Sequence, residues 1–330
     1  MNEYTEGIVL LAKQSGITSF SALWQVKNAL SLKKIGHTGT LDTFADGLLV
    51  VLIGKYTKLA SYFTGCEKEY VAEIQFGQET DTLDPDGTVV RKTPLPVHKE
   101  LGSVLPSFIG SISQIPPVYS ALHIDGQRAS RRVRNGENLD MPGRTVHISE
   151  LELLESLAAD GVTCSDESPV HRCHIRVRCS AGTYIRSLSR DIAQACGSSA
   201  HLRSLRRTRS GPFFLDKAAG CSLLPVFASE RSFVYGVGPR PPQASEAEIR
   251  NSIQLFTPQM AVSVNLSVVY LLREHLERFT KGQLLQSSWF SGYSHDGHDG
   301  HAAVFCETDF VGMIDRTDGN LSYVFVSGSS

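Results

Sequence analysis

A chain of 330 residues, 41% hydrophobic and 20% charged, is long enough for two domains and has the composition of an ordinary folded, water-soluble protein. Its net charge of −2 excludes a global field for a polyanionic partner, so any such field must be local. Seven scattered cysteines with no CxxC pair argue against a disulfide framework or a zinc site. With no basic, apolar leader and no membrane-length apolar run, a cytoplasmic location is expected.

In chain order, Gly7 to Lys13 reads as a first strand. Thr18 or Ser19 can cap a helix from about Phe20 to Leu32. Next comes a polar loop, Gly36 to Gly47, with three internal or flanking glycines and the carboxylate Asp42, and then six consecutive apolar residues that suit a fully buried strand. A glycine-rich loop running into a buried strand can hold an acidic side chain rigidly at the edge of a core, where a catalytic carboxylate belongs. The same spacing also fits a surface loop with a capping Asp. Tyr56 to Phe63 reads as a short helix, and Glu69 to Phe76 alternates like a half-buried strand that carries Tyr70.

Residues 81–87 are turn chemistry; their three aspartates lack the spacing and the distal Glu of a calcium loop. A helix is expected over 97–110, an extended proline-stiffened segment over 114–121, and a basic helix or loop over 126–134. Residues 145–155 and 170–180 read as paired strands. Gly182 to Arg186 opens a helix that ends at Gly197, and residues 201–215 complete a first domain of residues 1–229. Residues 230–254, rich in Gly, Pro, Ser and Glu, read as a linker or insertion. In a second domain of residues 255–330, Val268, Leu272, Leu276 and Phe279 fall on one helical face with Gly282 as C-cap, followed by strands at 302–306, 310–314 and 321–326. His295, His298 and His301 fit a polar hairpin tip better than a metal site, and no metal is expected.

Between His171 and Pro212 stand nine arginines and no lysine, opposed only by Asp191. With Arg128, Arg131, Arg132 and Arg134 they predict a basic surface suited to phosphates and bases, the alternative being a solvated face whose acidic partners lie elsewhere. No DNA-reading motif is present, so folded RNA is the expected partner.

Gly36-His37-Thr38-Gly39-Thr40-Leu41-Asp42 resembles the motif of the TruB family of tRNA pseudouridine synthases. Lys68-Glu69-Tyr70, Ile115 to Ala121, Ser180 to Leu188, and Leu202 to Thr208 with Gly211 and Phe213 agree in order, so the resemblance spans about residues 7–224. The tail, with Leu255-Phe256-Thr257-Pro258, is similar to the small C-terminal PUA-like RNA-binding domain of the bacterial branch. The resemblance implies an α+β fold, with a mixed, largely antiparallel pseudouridine synthase sheet and that small domain. It implies isomerisation of uridine 55 in the T-arm loop of tRNA, with no cofactor and no metal, by a monomer that needs no protein partner and no membrane.

By the same resemblance Asp42 is the essential carboxylate, attacking the ribose anomeric carbon or removing a sugar proton. Arg186 pairs with it, holding it ionised and oriented. Tyr70 stacks on the target base and handles the proton at the new carbon bond. His37 fills the space of the flipped base, Leu205 lines an apolar wall, and Lys13, Tyr184 and Arg207 complete the substrate-binding set. Three residues depart from the family pattern: Thr43 should loosen the turn, Asp46 adds a carboxylate near the site, and Ser130 removes a tyrosine contact. The rival reading is a non-catalytic tRNA-binding or folding chaperone, against which the intact Asp42, Tyr70 and Arg186 argue. A third keeps the chemistry but targets another RNA.

Overall fold

In the computed structural model the described residues are 5–327, apart from 121, 125–126, 129–131, 133–136, 138, 228–240 and 292–299. Two apolar runs form the centre. β1 (Gly7–Lys13) and β3 (Asp46–Ile53) are buried along their whole lengths and pair antiparallel, Gly7 opposite Ile53 and Lys13 opposite Gly47. A strand covered on both faces needs no polar alternation, which is why both read as continuous apolar runs. Between them lie α1 (Ser19–Leu30) and β2 (Ile35–His37), which pairs with β3. Thr18 caps α1 by accepting from the Ser21 N–H, and Ala22, Leu23, Val26, Ala29 and Leu30 pack the helix onto Val9, Leu11, Leu49 and Val51.

The chain continues through α2 (Ala60–Thr64), β4 (Lys68–Phe76), a hairpin of β5 (Gln78–Thr80) and β6 (Val89–Lys92), α3 (His98–Val104) and β7 (Gly110–Gln114). A small pair, β8 (His123–Ile124) and β9 (Gln127–Arg128), precedes the long β10 (Arg144–Leu157) and β11 (Arg172–Cys179). Then come α4 (Ile185–Ala195), β12 (Ala200–Ser210), β13 (Phe213–Phe214), α5 (Glu246–Asn251) and β14 (Ile253–Gln254). The main sheet runs β14-β1-β3-β12-β4-β11-β10-β7, with β2 attached to β3 and β13 to β12. Its one parallel pairing joins β12 to β3, so the sheet is mixed and largely antiparallel, as expected. α4 packs beneath it, burying Ile185, Leu188 and Ile192 against Ala72, Ile74, Ile175 and Leu202.

A second sheet runs β16 (Phe290–Ser291), β15 (Ser267–Leu271), β17 (Gly300–Cys306), β18 (Asp309–Thr317) and β19 (Asn320–Val326) in that order. The expected helix through Val268 and Phe279 is corrected here: Val268 lies in β15, and only Leu276–Thr280 is α-helical. The run Ser267-Val268-Val269-Tyr270 pairs parallel with β17, and β-branched and aromatic residues favour that pleated setting.

The two sheets share one core. Phe256, Phe305, Phe310, Met313 and Phe325 cluster with Ile8, Leu10, Leu48, Val50, Tyr56 and Phe63. Of the segment read as a linker, residues 228–240 lie outside the described residues; 246–254 form α5 and β14, and β14 extends the main sheet beside β1. Among the described residues no helix is long and apolar enough to cross a membrane.

Candidate active site

The loop that bears Asp42 is tied down at every carbonyl from Leu41 to Ala45. Ser19 Oγ donates to Leu41 O at 3.0 Å and accepts from Leu41 N at 2.8 Å. Asp42 O accepts from Ala45 N, Thr43 O from Gly16 N at 2.8 Å, Phe44 O from Ser15 Oγ at 2.7 Å, and Ala45 O from Lys13 Nζ at 2.7 Å. The turn that Thr43 was expected to loosen is thus fixed by donors from the β1–α1 connection.

Out of this loop the Asp42 side chain reaches a buried guanidinium while remaining about one-third (36%) exposed. Arg186, on the first turn of α4, donates from Nη2 to Asp42 Oδ1 at 3.2 Å, and its Nε lies 2.9 Å from Oδ2 without being aimed at it. The other donors grip the surroundings: Nη1 bonds Thr82 O at 2.9 Å and reaches Asp84 Oδ2 at 3.4 Å, and Nη2 also bonds Tyr119 O at 3.0 Å. One planar fork therefore bridges two carboxylates and fixes the Asp42 carboxylate from behind. Asp84 is held in turn by Thr82 Oγ1 at 2.5 Å and the Asp86 N–H at 3.1 Å, and burial raises its carboxyl above the ordinary range. The sequence reading saw only a turn here, because a partner 102 residues away leaves no local signature.

Tyr70 and Arg207 are opposite one another on β4 and β12. Burial raises the Tyr70 phenol, while the adjacent Arg207 charge opposes the shift and Asp42 adds to it, which places all three in one electrostatic neighbourhood. Leu205, with Leu41, Phe44, Ala45 and Ile185, forms the apolar floor around Tyr70. His37 closes β2; burial and then Arg207 lower its pKa, and its Nδ1 has no hydrogen-bond partner. Tyr184 precedes α4, exchanging main-chain hydrogen bonds with the buried Gln114 amide, and its ring lies 4.5 Å beneath the Arg144 guanidinium.

Two of the predicted binding residues are enclosed instead of facing the cleft. Arg207 is buried, donating to Leu48 O at 2.8 Å and Gly39 O at 3.1 Å. Lys13 is buried too, its Nζ within 2.7–3.4 Å of the carbonyls of Gln14, Ile17, Thr43 and Ala45. Burial lowers its pKa to about 7 against the pull of Asp46 and Asp42. The unfolded chain, with a Lys pKa of 10.5, therefore binds more protons than the folded chain between pH 7 and 10.5. The folding penalty of this group is full below pH 7 and relieved as pH rises. In urea unfolding, wild type is expected to gain stability over Lys13→Met by about 1 kcal/mol per pH unit from pH 7 to 9. A difference that stays flat would contradict the assignment.

The arginine-rich surface requires correction. Arg172 and Arg203 both pair with the buried Glu73, at 3.2 and 3.1 Å; Arg176 pairs with Glu152 at 2.8 Å; and Arg178 pairs with Glu150 and with Glu69 at 3.2 Å. The acids come from the flanking strands β4 and β10, so the stretch is basic in sequence but largely neutralised in space. Arg132 pairs with Glu137; Arg131, Arg134 and Ser130 lie outside the described residues. Asp46 is likewise neutralised, by a two-pronged Arg206 contact at 2.7 Å on each oxygen. No three His, Cys, Asp or Glu side chains converge on a metal-sized site among the described residues. His301 rests against the Tyr62 hydroxyl, while His295 and His298 lie outside the described residues.

Comparison with known proteins gives this arrangement its context. Residues 27–185 match the TruB family pseudouridylate synthase N-terminal domain, and residues 186–225 match the tRNA pseudouridylate synthase B C-terminal domain. The chain is 40% identical over 352 aligned positions to tRNA pseudouridine synthase B of Treponema pallidum (strain Nichols), covering 96% of each chain. It is 40% identical to the protein of that name from Treponema denticola, covering 93% of this chain and 94% of the relative. In fold it is similar to the crystal structure of a Cbf5-Nop10-Gar1 complex, with a TM-score of 0.62 and 24% identity over 98% of this chain and 85% of that one. The matches cover the tethered Asp42 loop, β4 with Tyr70 and the start of α4 with Arg186, and the chain belongs to the TruB family of pseudouridylate synthases.

Proposed function

We propose that the protein isomerises uridine 55 in the T-arm loop of tRNA to pseudouridine, with Asp42 as the catalytic carboxylate. The observation that carries this reading is the pairing of a rigidly held, partly exposed Asp42 with the buried Arg186. Family membership and relatives named tRNA pseudouridine synthase B support the substrate.

The reaction exchanges one bond for another. The C1′–N1 bond breaks, the freed uracil turns, C1′ bonds to C5, and the proton at C5 is lost while N1 gains one. The target base must leave its stack to reach Asp42, and His37 takes the space it vacates. Asp42 attacks C1′ or removes the 2′ proton; Arg186 keeps the carboxylate oriented and offsets its charge in both routes. Tyr70 stacks on the base and handles the C5 proton, and Leu205 keeps the detached uracil in an apolar enclosure. The second sheet, within residues 255–330, extends the RNA surface. The enzyme acts as a monomer on tRNA alone.

Pseudouridine mapping of an unmodified tRNA transcript tests this, with wild type and Asp42→Ala and no added cofactor. Modification confined to uridine 55, and lost in Asp42→Ala, is the expected result. Equal tRNA binding by both proteins with no pseudouridine from either would favour the chaperone reading.

A further inference from the structure

The helix leading into the catalytic loop carries an exposed feature that the chemistry above does not use. Phe20 and Trp24 sit one helical turn apart on α1 and are 72% and 54% exposed, while the opposite face of the helix is packed into the core. Two large aromatic rings held in water on one ridge mark a contact surface. Ser19, the first residue of α1, is bonded through its hydroxyl to both main-chain groups of Leu41, the residue before Asp42. The ridge therefore starts beside the catalytic loop.

Charge identifies the partner. From Gly7 to Leu41 the chain has no Asp or Glu but carries, besides the buried Lys13, Lys27, Lys33 and Lys34. Lys27 Nζ lies 4.8 Å from the centre of the Trp24 ring. Lys33 and Lys34 are exposed and make no ion pair among the described residues. The arginines of β11 are matched by glutamates, whereas here positive charge remains available beside exposed aromatic rings. That combination fits a polyanion with stackable faces.

We propose that the α1 ridge is a stacking platform for an unpaired base of the RNA substrate next to the target nucleotide. Phe20 and Trp24 receive the base, and Lys27, Lys33 and Lys34 meet the flanking phosphates. This rests on the RNA substrate proposed above.

Trp24 supplies its own probe, because the only other tryptophan, Trp289, is buried. Unmodified tRNA added to the full-length protein carrying Asp42→Asn is expected to quench fluorescence, and Trp24→Ser should remove the quench. In the otherwise wild-type enzyme, Trp24→Ser should raise KM about 10-fold, the scale of one base–aromatic stack, while kcat at saturating tRNA is retained. Replacing Lys33 and Lys34 by Gln should flatten the dependence of log affinity on log salt by about 1 to 2. Because these side chains are exposed, an unchanged thermal midpoint should accompany each variant. Unchanged quench and KM, with wild type still modifying tRNA, would overturn the platform alone. Self-association in sedimentation that Trp24→Ser abolishes would overturn it in favour of a second copy of this chain. A wild type that forms no pseudouridine but whose Trp24 is still quenched by tRNA would uphold the platform and overturn the proposed function.

Discussion

Arg186→Gln is expected to lower pseudouridine formation by about 10³-fold or more, comparable to or beyond the loss of one preorganised charged group from an active site. Gln has neither the charge nor the fork. Asp42 would lose its anchor at Oδ1 and its contact at Oδ2, and no cation would bridge Asp42 and Asp84. The same change removes donors from Thr82 O and Tyr119 O, which lie in separate loops. Deleting one member of a buried charge cluster costs about 3–5 kcal/mol of stability, so unfolding and single-turnover kinetics belong together. The informative comparison is Arg186→Lys, which restores the charge but not the planar geometry. If orientation of Asp42 is the point, Arg186→Lys should recover stability more than rate. Full recovery of the rate by lysine would show that charge alone suffices.

Gly47→Ala should be among the most destabilising single substitutions in the chain. Gly47 has φ +107, a conformation that L side chains rarely adopt, and faces Arg207 across the parallel β3–β12 pairing. A Cβ there would overlap the Arg207 carbonyl oxygen and sit 2.7 Å from its main-chain nitrogen. Backbone strain and overpacking each cost about 1–3 kcal/mol, so a loss of about 3–5 kcal/mol is expected. A urea midpoint within experimental error of wild type would refute it. The effect should reach function too, because separating β3 from β12 displaces Arg207 from Leu48 and Gly39 and slackens the Asp42 loop.

The Asp42 loop and the buried strand after it were legible as structure because their signals are local: glycines, two carboxylates and an apolar run occupy fewer than two dozen consecutive positions. Arg186 and Tyr70 were singled out for a different reason, the ordered short motifs around them that carry the family resemblance. Asp84 was not, since its environment is made by α4, far along the chain. The arginines misled for the same reason in reverse. Arg172, Arg176 and Arg178 alternate along β11, and their partners Glu73, Glu152 and Glu150 arrive only when β4 and β10 pair with it. A charge sum along one strand cannot register neighbours supplied by another. The unpaired lysines of the α1 region, fewer and less conspicuous, form the more accessible positive surface. The helix expected through Val268 failed because a short apolar run fits either period, and pairing with β17 decided it.

The common core of the two sheets also bears on the order in which the protein can be made. Every residue proposed for the chemistry lies before residue 208, so residues 208–330 are made after all of them. Yet β1 receives its outer neighbour only at Ile253, and the apolar surface over Ile8, Leu10, Leu48 and Val50 is covered by phenylalanines as late as Phe325. A chain lacking those residues would present an open strand edge and a greasy face, both invitations to association with other chains. The second sheet thus seals an apolar face that the residues before it leave open.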